Sequence, residues 1–86
     1  MYVILVYDVG YKRVSKINKI CKQYLMQVQN SVFEGDLTST QEENLKLELK
    51  NKIKPKEDKV MIYHLQSLKY VSKEAIGLYK EISDVI

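Results

Sequence analysis

The chain opens on a short apolar run that ends on a carboxylate. Residues 1–8 read MYVILVYD, a run too short for a helix and typical of a buried β-strand. Acids are disfavoured inside strands, and an unpaired buried charge is strongly destabilising. Because Asp8 is followed by Val9-Gly10, we expect it at the solvent-exposed end of the strand. There it either begins a turn or caps the next helix, or it presents a functional carboxylate.

The length of 86 residues fits one domain, which spans residues 1–86. A domain this small buries a modest core, so dimerisation would be a natural way to enlarge it. The single cysteine, Cys21, allows no disulfide within the chain and favours a reducing compartment. The first apolar run lacks a basic lead, and no stretch approaches the roughly 20 apolar residues of a membrane span. We therefore expect a cytoplasmic protein that does not associate with membranes.

After Gly10 the apolar period becomes helical and predicts a first helix over residues 14–26. Cys21 lies on its apolar side, which indicates a buried and inert thiol rather than a reactive one. The opposite side carries a stripe of four lysines. This stripe is either a solvated surface or a site that holds phosphates without reading sequence. Its members, called the lysine stripe below, are Lys12, Lys16, Lys19 and Lys22.

Residues 26–37 are predicted to be extended and must supply two strands with almost no loop, so we expect a bent or broken pair there. A capping box of Ser39 and Glu42 then predicts a second helix that runs to about residue 54. Pro55 stops it, because proline cannot continue a helix.

Residues 59–65 predict another buried strand, and its His64 is read as a packed or hydrogen-bonded residue in preference to a catalytic or metal-binding one. The tail over residues 72–86 is too apolar to be free. The order strand, helix, two strands, helix, strand predicts an α+β fold, the ferredoxin-like βαββαβ sandwich, with both helices on one face of an antiparallel sheet.

The chemistry the chain could perform is narrowed by what it lacks. The sequence contains no glycine-rich phosphate loop, CxxC pair, HExxH motif or nucleophile elbow, and no paired strand aromatics typical of RNA-recognition modules. What remains is Asp8 near Arg13 and the lysine stripe. One carboxylate makes a poor metal site, but if the end of the first strand lies on the two-fold axis of a homodimer, Asp8 from each protomer could share one cation.

Three segments resemble the CRISPR-associated Cas2 family. Tyr7-Asp8 closes the first strand, Lys12-Arg13-Val14 opens the helix, and residues 29–35 read QNSVFEG. The resemblance implies a ferredoxin-like homodimer in which an extra C-terminal strand, within residues 67–86, packs on the partner. It also implies a role in CRISPR adaptation, as a dimer that bridges two dimers of the Cas1 integrase and holds protospacer DNA during spacer acquisition.

The resemblance also implies roles for individual residues. Asp8 is the expected catalytic and metal-binding acid, with one Mg²⁺ or Mn²⁺ shared at the dimer interface. The expected nucleic-acid-binding residues are Tyr7, Lys12, Arg13, Lys16, Lys19, Ser31 and Phe33.

Two functions stay open, a DNA-binding adaptor and a metal-dependent endonuclease acting on RNA or double-stranded DNA. Arg13 is the only arginine in the chain, and lysine lacks the bidentate fork that stabilises a developing phosphoryl charge. The adaptor is therefore the favoured interpretation. A toxin-type endoribonuclease of similar fold is a third possibility, against which the SVFEG segment weighs.

Overall fold

The computed structural model describes residues 1–66 and 74–76. Within them the order strand, helix, strand, strand, helix, strand is confirmed. The elements are β1 (Tyr2–Asp8), α1 (Tyr11–Lys22), β2 (Met26–Gln29), β3 (Val32–Asp36), α2 (Ser39–Lys50) and β4 (Lys59–Leu65). The predicted C-terminal strand lies within residues 67–86 and so falls largely outside the described residues.

The four strands form one sheet in the order β2-β3-β1-β4, and every neighbouring pair is antiparallel. The first strand is therefore central, flanked by β3 and β4. This is the strand order of a ferredoxin-like sandwich, and the predicted fold class is confirmed.

The two faces of the sheet differ in burial. On β1, Val3, Leu5 and Tyr7 are buried in a core with residues of both helices, such as Ile17 and Leu45. The alternate residues face the other way, since successive strand side chains point to opposite faces. We call this second surface the open face; it includes Tyr2, Ile4, Val6, Asp8, Val32, Met61 and Tyr63. The apolar run of β1 thus has one face in the core and one half-exposed face.

The first helix begins and ends earlier than predicted, covering Tyr11–Lys22 instead of residues 14–26. Tyr24 and Leu25 continue the apolar period, which is why they resemble helix in the sequence. They do pack on the core, but from the turn that connects α1 to β2.

The second helix is capped by Thr38 and not by Ser39. Thr38 Oγ1 accepts the Gln41 N–H at 3.1 Å, and Gln41 Oε1 accepts the Thr38 N–H at 2.9 Å. These two bonds form a capping box one residue before the predicted one. The helix ends at Lys50, well before Pro55, and turns occupy the residues between.

The hairpin of β2 and β3 confirms the predicted irregular strand pair. Only Asn30 and Ser31 connect the strands, and the register shifts between Gln27 and Gln29. Ser31 adopts a positive φ of 66°, so the second connecting residue lies in the left-handed region that some tight turns use. Across the described ranges, no helix is long and apolar enough to cross a membrane.

Candidate metal and nucleic-acid-binding sites

Asp8 lies where the sequence predicts, at the exposed end of the central strand. It is the last residue of β1 and stands in register with Lys59, the first residue of β4. By strand alternation its side chain shares the open face with Ile4 and Val6. Asp8 therefore faces away from the helices and marks one end of a half-exposed apolar surface.

Tyr7 and Phe33 support this strand end from the core. Both are buried, and their rings stack with centroids 6.1 Å apart. The Tyr7 hydroxyl donates to Asn18 Oδ1 at 3.3 Å, and burial raises the pKa of this phenol. Both rings therefore pack inside the protein between β1, β3 and α1, and their predicted contact with nucleic acid stays a prediction.

Ser31 lies beside the same strand end. Its backbone carbonyl accepts the Tyr7 N–H at 3.1 Å, so the hairpin turn is tied to the residue before Asp8. The side chain is half-buried. Ser31 is thus placed to shape the neighbourhood of Asp8, and its predicted contact with nucleic acid stays a prediction.

Arg13 is held within the protein by two acids. Its Nε donates to Asp58 Oδ2 at 2.5 Å and its Nη2 to Asp58 Oδ1 at 2.8 Å, while Nη2 also reaches Glu57 Oε1 at 3.2 Å. The bidentate hydrogen bond from Arg13 holds the pKa of Asp58 well below its usual range. The guanidinium that the sequence assigns to nucleic acid is therefore engaged in an ion pair inside the chain.

Sequence reasoning missed Asp58. The only available signal was its position, since an acid between a proline-containing loop and an apolar strand must be either exposed or paired. The sequence could not indicate which of these applies, because the partner lies 45 residues earlier.

The lysine stripe lies on a different surface from Asp8. All four lysines are exposed, whereas Ile17, Ile20 and Cys21 bury the other side of α1 against the sheet. The stripe therefore points outward from the helix layer, while Asp8 points out of the opposite face of the sheet. The sequence suggested one combined site, whereas the structure places the Asp8 side chain and the exposed side of α1 on different faces.

His64 is hydrogen-bonded, as predicted. Its Nε2 lies 2.5 Å from Glu42 Oε2, and the same carboxylate pairs with Lys46 Nζ at 3.1 Å. The hydrogen bond from His64 lowers the pKa of Glu42. His64 thus links the outer strand β4 to α2.

Cys21 is buried, as predicted, and burial raises the pKa of its thiol to about 12. A thiol in this state is not a nucleophile at neutral pH.

A metal site within one chain is not supported by the donor set. In residues 1–66 and 74–76 no three histidine, cysteine or acidic side chains come together in a way that could hold an ion. Asp8 contributes one carboxylate, and Mg²⁺ commonly takes one or two carboxylates together with water molecules. The residues fit such an ion best if a second chain supplies the second carboxylate.

The strand order, the two helices on one face and the exposed strand-end acid define a small ferredoxin-like α+β protein. The chain belongs to the family described as CRISPR associated protein Cas2, whose family model matches residues 1–73. The resemblance carried by residues 29–35 is thereby confirmed.

Relatives match nearly the whole chain. The CRISPR-associated endoribonuclease Cas2 of Thermotoga maritima is 51% identical over 80 residues, covering 93% of this chain and 92% of that protein. The protein of the same name from Pyrococcus furiosus is 42% identical over 87 residues and is covered completely, as is this chain.

Solved structures agree with the fold. A structure described as the crystal structure of cas2 has a TM-score of 0.85 and 41% identity, covering 100% of this chain and 97% of that one. Streptococcus pyogenes Cas2 has a TM-score of 0.74 and 31% identity, covering 87% of this chain and 100% of its own.

Proposed function

We propose that this protein acts as a homodimer in which the open faces of two sheets pack together. The support is a set of apolar side chains that remain accessible on this face in the single chain: Met61 is 40% exposed and Tyr63 52% exposed, next to half-buried Ile4, Val6 and Val32, although the buried Glu34 shares the face in register with Ile4. Burial of such side chains favours association. A two-fold axis through this face makes the interface isologous, so each residue meets its own copy or a symmetric partner.

This arrangement gives Asp8 a partner. Asp8 lies on the open face at the end of the central strand, so two copies can approach across the axis and hold one Mg²⁺ or Mn²⁺. Such an ion supplies charge stabilisation at a phosphodiester and lowers the pKa of bound water. The protein itself would contribute the paired carboxylates and the rigid strand ends, which Tyr7 and Ser31 hold in place.

The favoured function is nucleic-acid binding in CRISPR adaptation, with the dimer holding protospacer DNA and bridging the Cas1 integrase. The observation that carries it is the lysine stripe, which is exposed along the outer side of α1 and separate from Asp8. Lysines in this position can hold backbone phosphates without reading the sequence. The lysine stripe would bind phosphates whether or not Asp8 takes part in phosphodiester cleavage.

The test compares Asp8→Asn with a matched change, Glu43→Gln, which removes an exposed acid from α2. Spacer acquisition should persist in both, while the triple variant Lys12→Gln, Lys16→Gln, Lys19→Gln should lose it. If Asp8→Asn alone abolished acquisition while the protein remained a folded dimer, the adaptor function would be wrong.

The second candidate is a metal-dependent endonuclease that uses the Asp8 pair. The relatives from Thermotoga maritima and Pyrococcus furiosus are named endoribonucleases, which favours it. It predicts Mg²⁺- or Mn²⁺-dependent cleavage of RNA or double-stranded DNA that disappears in Asp8→Asn. Equal cleavage by the variant would mean that a contaminating nuclease is responsible and would end this candidate.

A further inference from the structure

Asp58 is a buried carboxylate whose two oxygens are fully used. Oδ1 accepts the Gly10 N–H at 2.9 Å and Arg13 Nη2 at 2.8 Å. Oδ2 accepts the Lys54 N–H at 2.8 Å and Arg13 Nε at 2.5 Å. The Asp58 side chain is 0% exposed and that of Arg13 is 16% exposed. We call these four residues, Gly10, Arg13, Lys54 and Asp58, the Asp58 clamp.

The Asp58 clamp lies at the end of the sheet where Asp8 is found. Gly10 follows Asp8 by two residues, and Asp58 immediately precedes Lys59, which stands in register with Asp8. The carboxylate therefore joins the β1–α1 loop to the start of β4. Arg13 lies in the first turn of α1 and links this turn to the same carboxylate. Its backbone N–H also donates to the Gly10 carbonyl at 2.8 Å.

We propose that Asp58 and Arg13 are positioning residues that hold the loop after β1, and with it the Asp8 carboxylate, and that Arg13 does not contact nucleic acid. This proposal rests on the proposed function for the role of Asp8. The guanidinium donates two hydrogen bonds to Asp58 and also contacts Glu57, so its positive charge is balanced within the chain and the edge formed by Nε and Nη2 is not available to a phosphate.

Gly10 gives an independent sign of the clamp. Its φ of −56° and ψ of 142° are ordinary values that any residue adopts, so the backbone does not require glycine. A Cβ built at Gly10, however, would lie 2.6 Å from Arg13 Nη2. A larger residue at this position would therefore displace the guanidinium from its contact with Asp58.

The first experiment measures thermal stability in a double-mutant cycle of Gly10→Ala and Arg13→Gln. Gly10→Ala should lower the melting temperature clearly in the wild-type chain and by less than half as much when Arg13 is already glutamine, because the clash has then gone. Equal losses in the two backgrounds would overturn the clamp. Should Arg13→Gln fail to fold, the pair Arg13→Gln with Asp58→Asn serves as the second background, since it leaves no buried unpaired carboxylate.

The control variant is Glu57→Gln, which removes the exposed partner of the same guanidinium. Glu57 is 62% exposed and makes a single contact at 3.2 Å, so the melting temperature should stay close to that of the wild type. A loss as large as that of Asp58→Asn would show that the exposed pair, and not the buried carboxylate, holds the loop.

The second experiment tests positioning, at a temperature where each variant is folded. Mn²⁺ affinity measured by calorimetry should fall roughly tenfold in Asp58→Asn, because the loop that follows Asp8 is then no longer held to the start of β4, and stay unchanged in Glu57→Gln. Unchanged affinity in Asp58→Asn would refute the positioning role. If the wild-type protein binds no Mn²⁺, the proposed metal site fails, whereas the Gly10–Arg13 cycle still decides the clamp.

The third experiment separates a structural arginine from a phosphate contact. In Arg13→Gln, the dependence of duplex DNA affinity on salt should keep the wild-type slope, because no released counterion depends on this side chain. A slope reduced by about 0.9 would show that Arg13 neutralises a phosphate and would contradict the proposal.

Discussion

Replacing one lysine of the stripe should weaken DNA binding in a way that depends on salt. In Lys16→Gln one of four exposed charges on the outer side of α1 is lost while the helix is kept. The residues from Lys12 to Lys22 extend over about 15 Å of helix, enough to run beside several phosphates of a duplex.

The expected size follows from counterion release. Each phosphate neutralised contributes about −0.9 to the slope of log affinity against log salt, so a duplex that contacts the four lysines of one protomer gives a slope of about −3.6. Raising salt from about 50 to about 200 mM should then weaken binding roughly 150-fold for the wild type and roughly 40-fold for Lys16→Gln, whose slope is about −2.7.

The assay is fluorescence anisotropy with a labelled DNA duplex over a salt series. The matched control is Lys50→Gln, which removes an exposed lysine from the last turn of α2 and should keep the wild-type slope. If Lys16→Gln and Lys50→Gln have the same slope as the wild type, the lysine stripe does not bind phosphates.

Three further predictions concern stability and can be checked by thermal and denaturant unfolding. Thr38→Ala should lower the free energy of unfolding by about 1 kcal/mol and Ser39→Ala by much less, because Thr38 caps α2. A larger loss in Ser39→Ala would mean that Thr38 is not the cap. Leu5→Ala should lower the free energy of unfolding by about 2–5 kcal/mol because the side chain is fully buried. A loss below about 1 kcal/mol, as is usual for a surface substitution, would mean that Leu5 does not lie in the core. The pKa of Asp58 is lowered by folding, so its stabilisation is complete at neutral pH and is lost as the pH falls below about 5. Asp58→Asn should therefore lose less stability on acidification than the wild type, and parallel losses would refute this.

The element order could be read from the sequence because each element carries its own local signal. The apolar run before Asp8, the change of period after Gly10 and the short segment around Ser31 were enough to give the ferredoxin-like order and the irregular β2–β3 pair. The helix ends were less predictable, since Leu25 continues the helical period but packs from a turn. Thr38 and Ser39 are both good caps, and local sequence does not choose between them.

The arrangement of the site depended on contacts that the sequence does not show. Asp8 and Lys16 are close in sequence, but strand alternation and helix packing place them on opposite sides of the sheet. Arg13 resembled a phosphate ligand because it opens the basic helix, and only the three-dimensional structure brings Asp58 against it. Sequence patterns predict which side of an element is apolar better than they predict pairs between distant polar residues.

The most direct test of the account is the stoichiometry of metal binding by the dimer. Calorimetric titration of the wild-type protein with Mn²⁺ should show one ion for every two chains, because the two Asp8 carboxylates share it across the axis. Asp8→Asn should abolish this binding while the protein stays dimeric in sedimentation. One ion per chain, or undiminished binding in Asp8→Asn, would contradict the symmetric site.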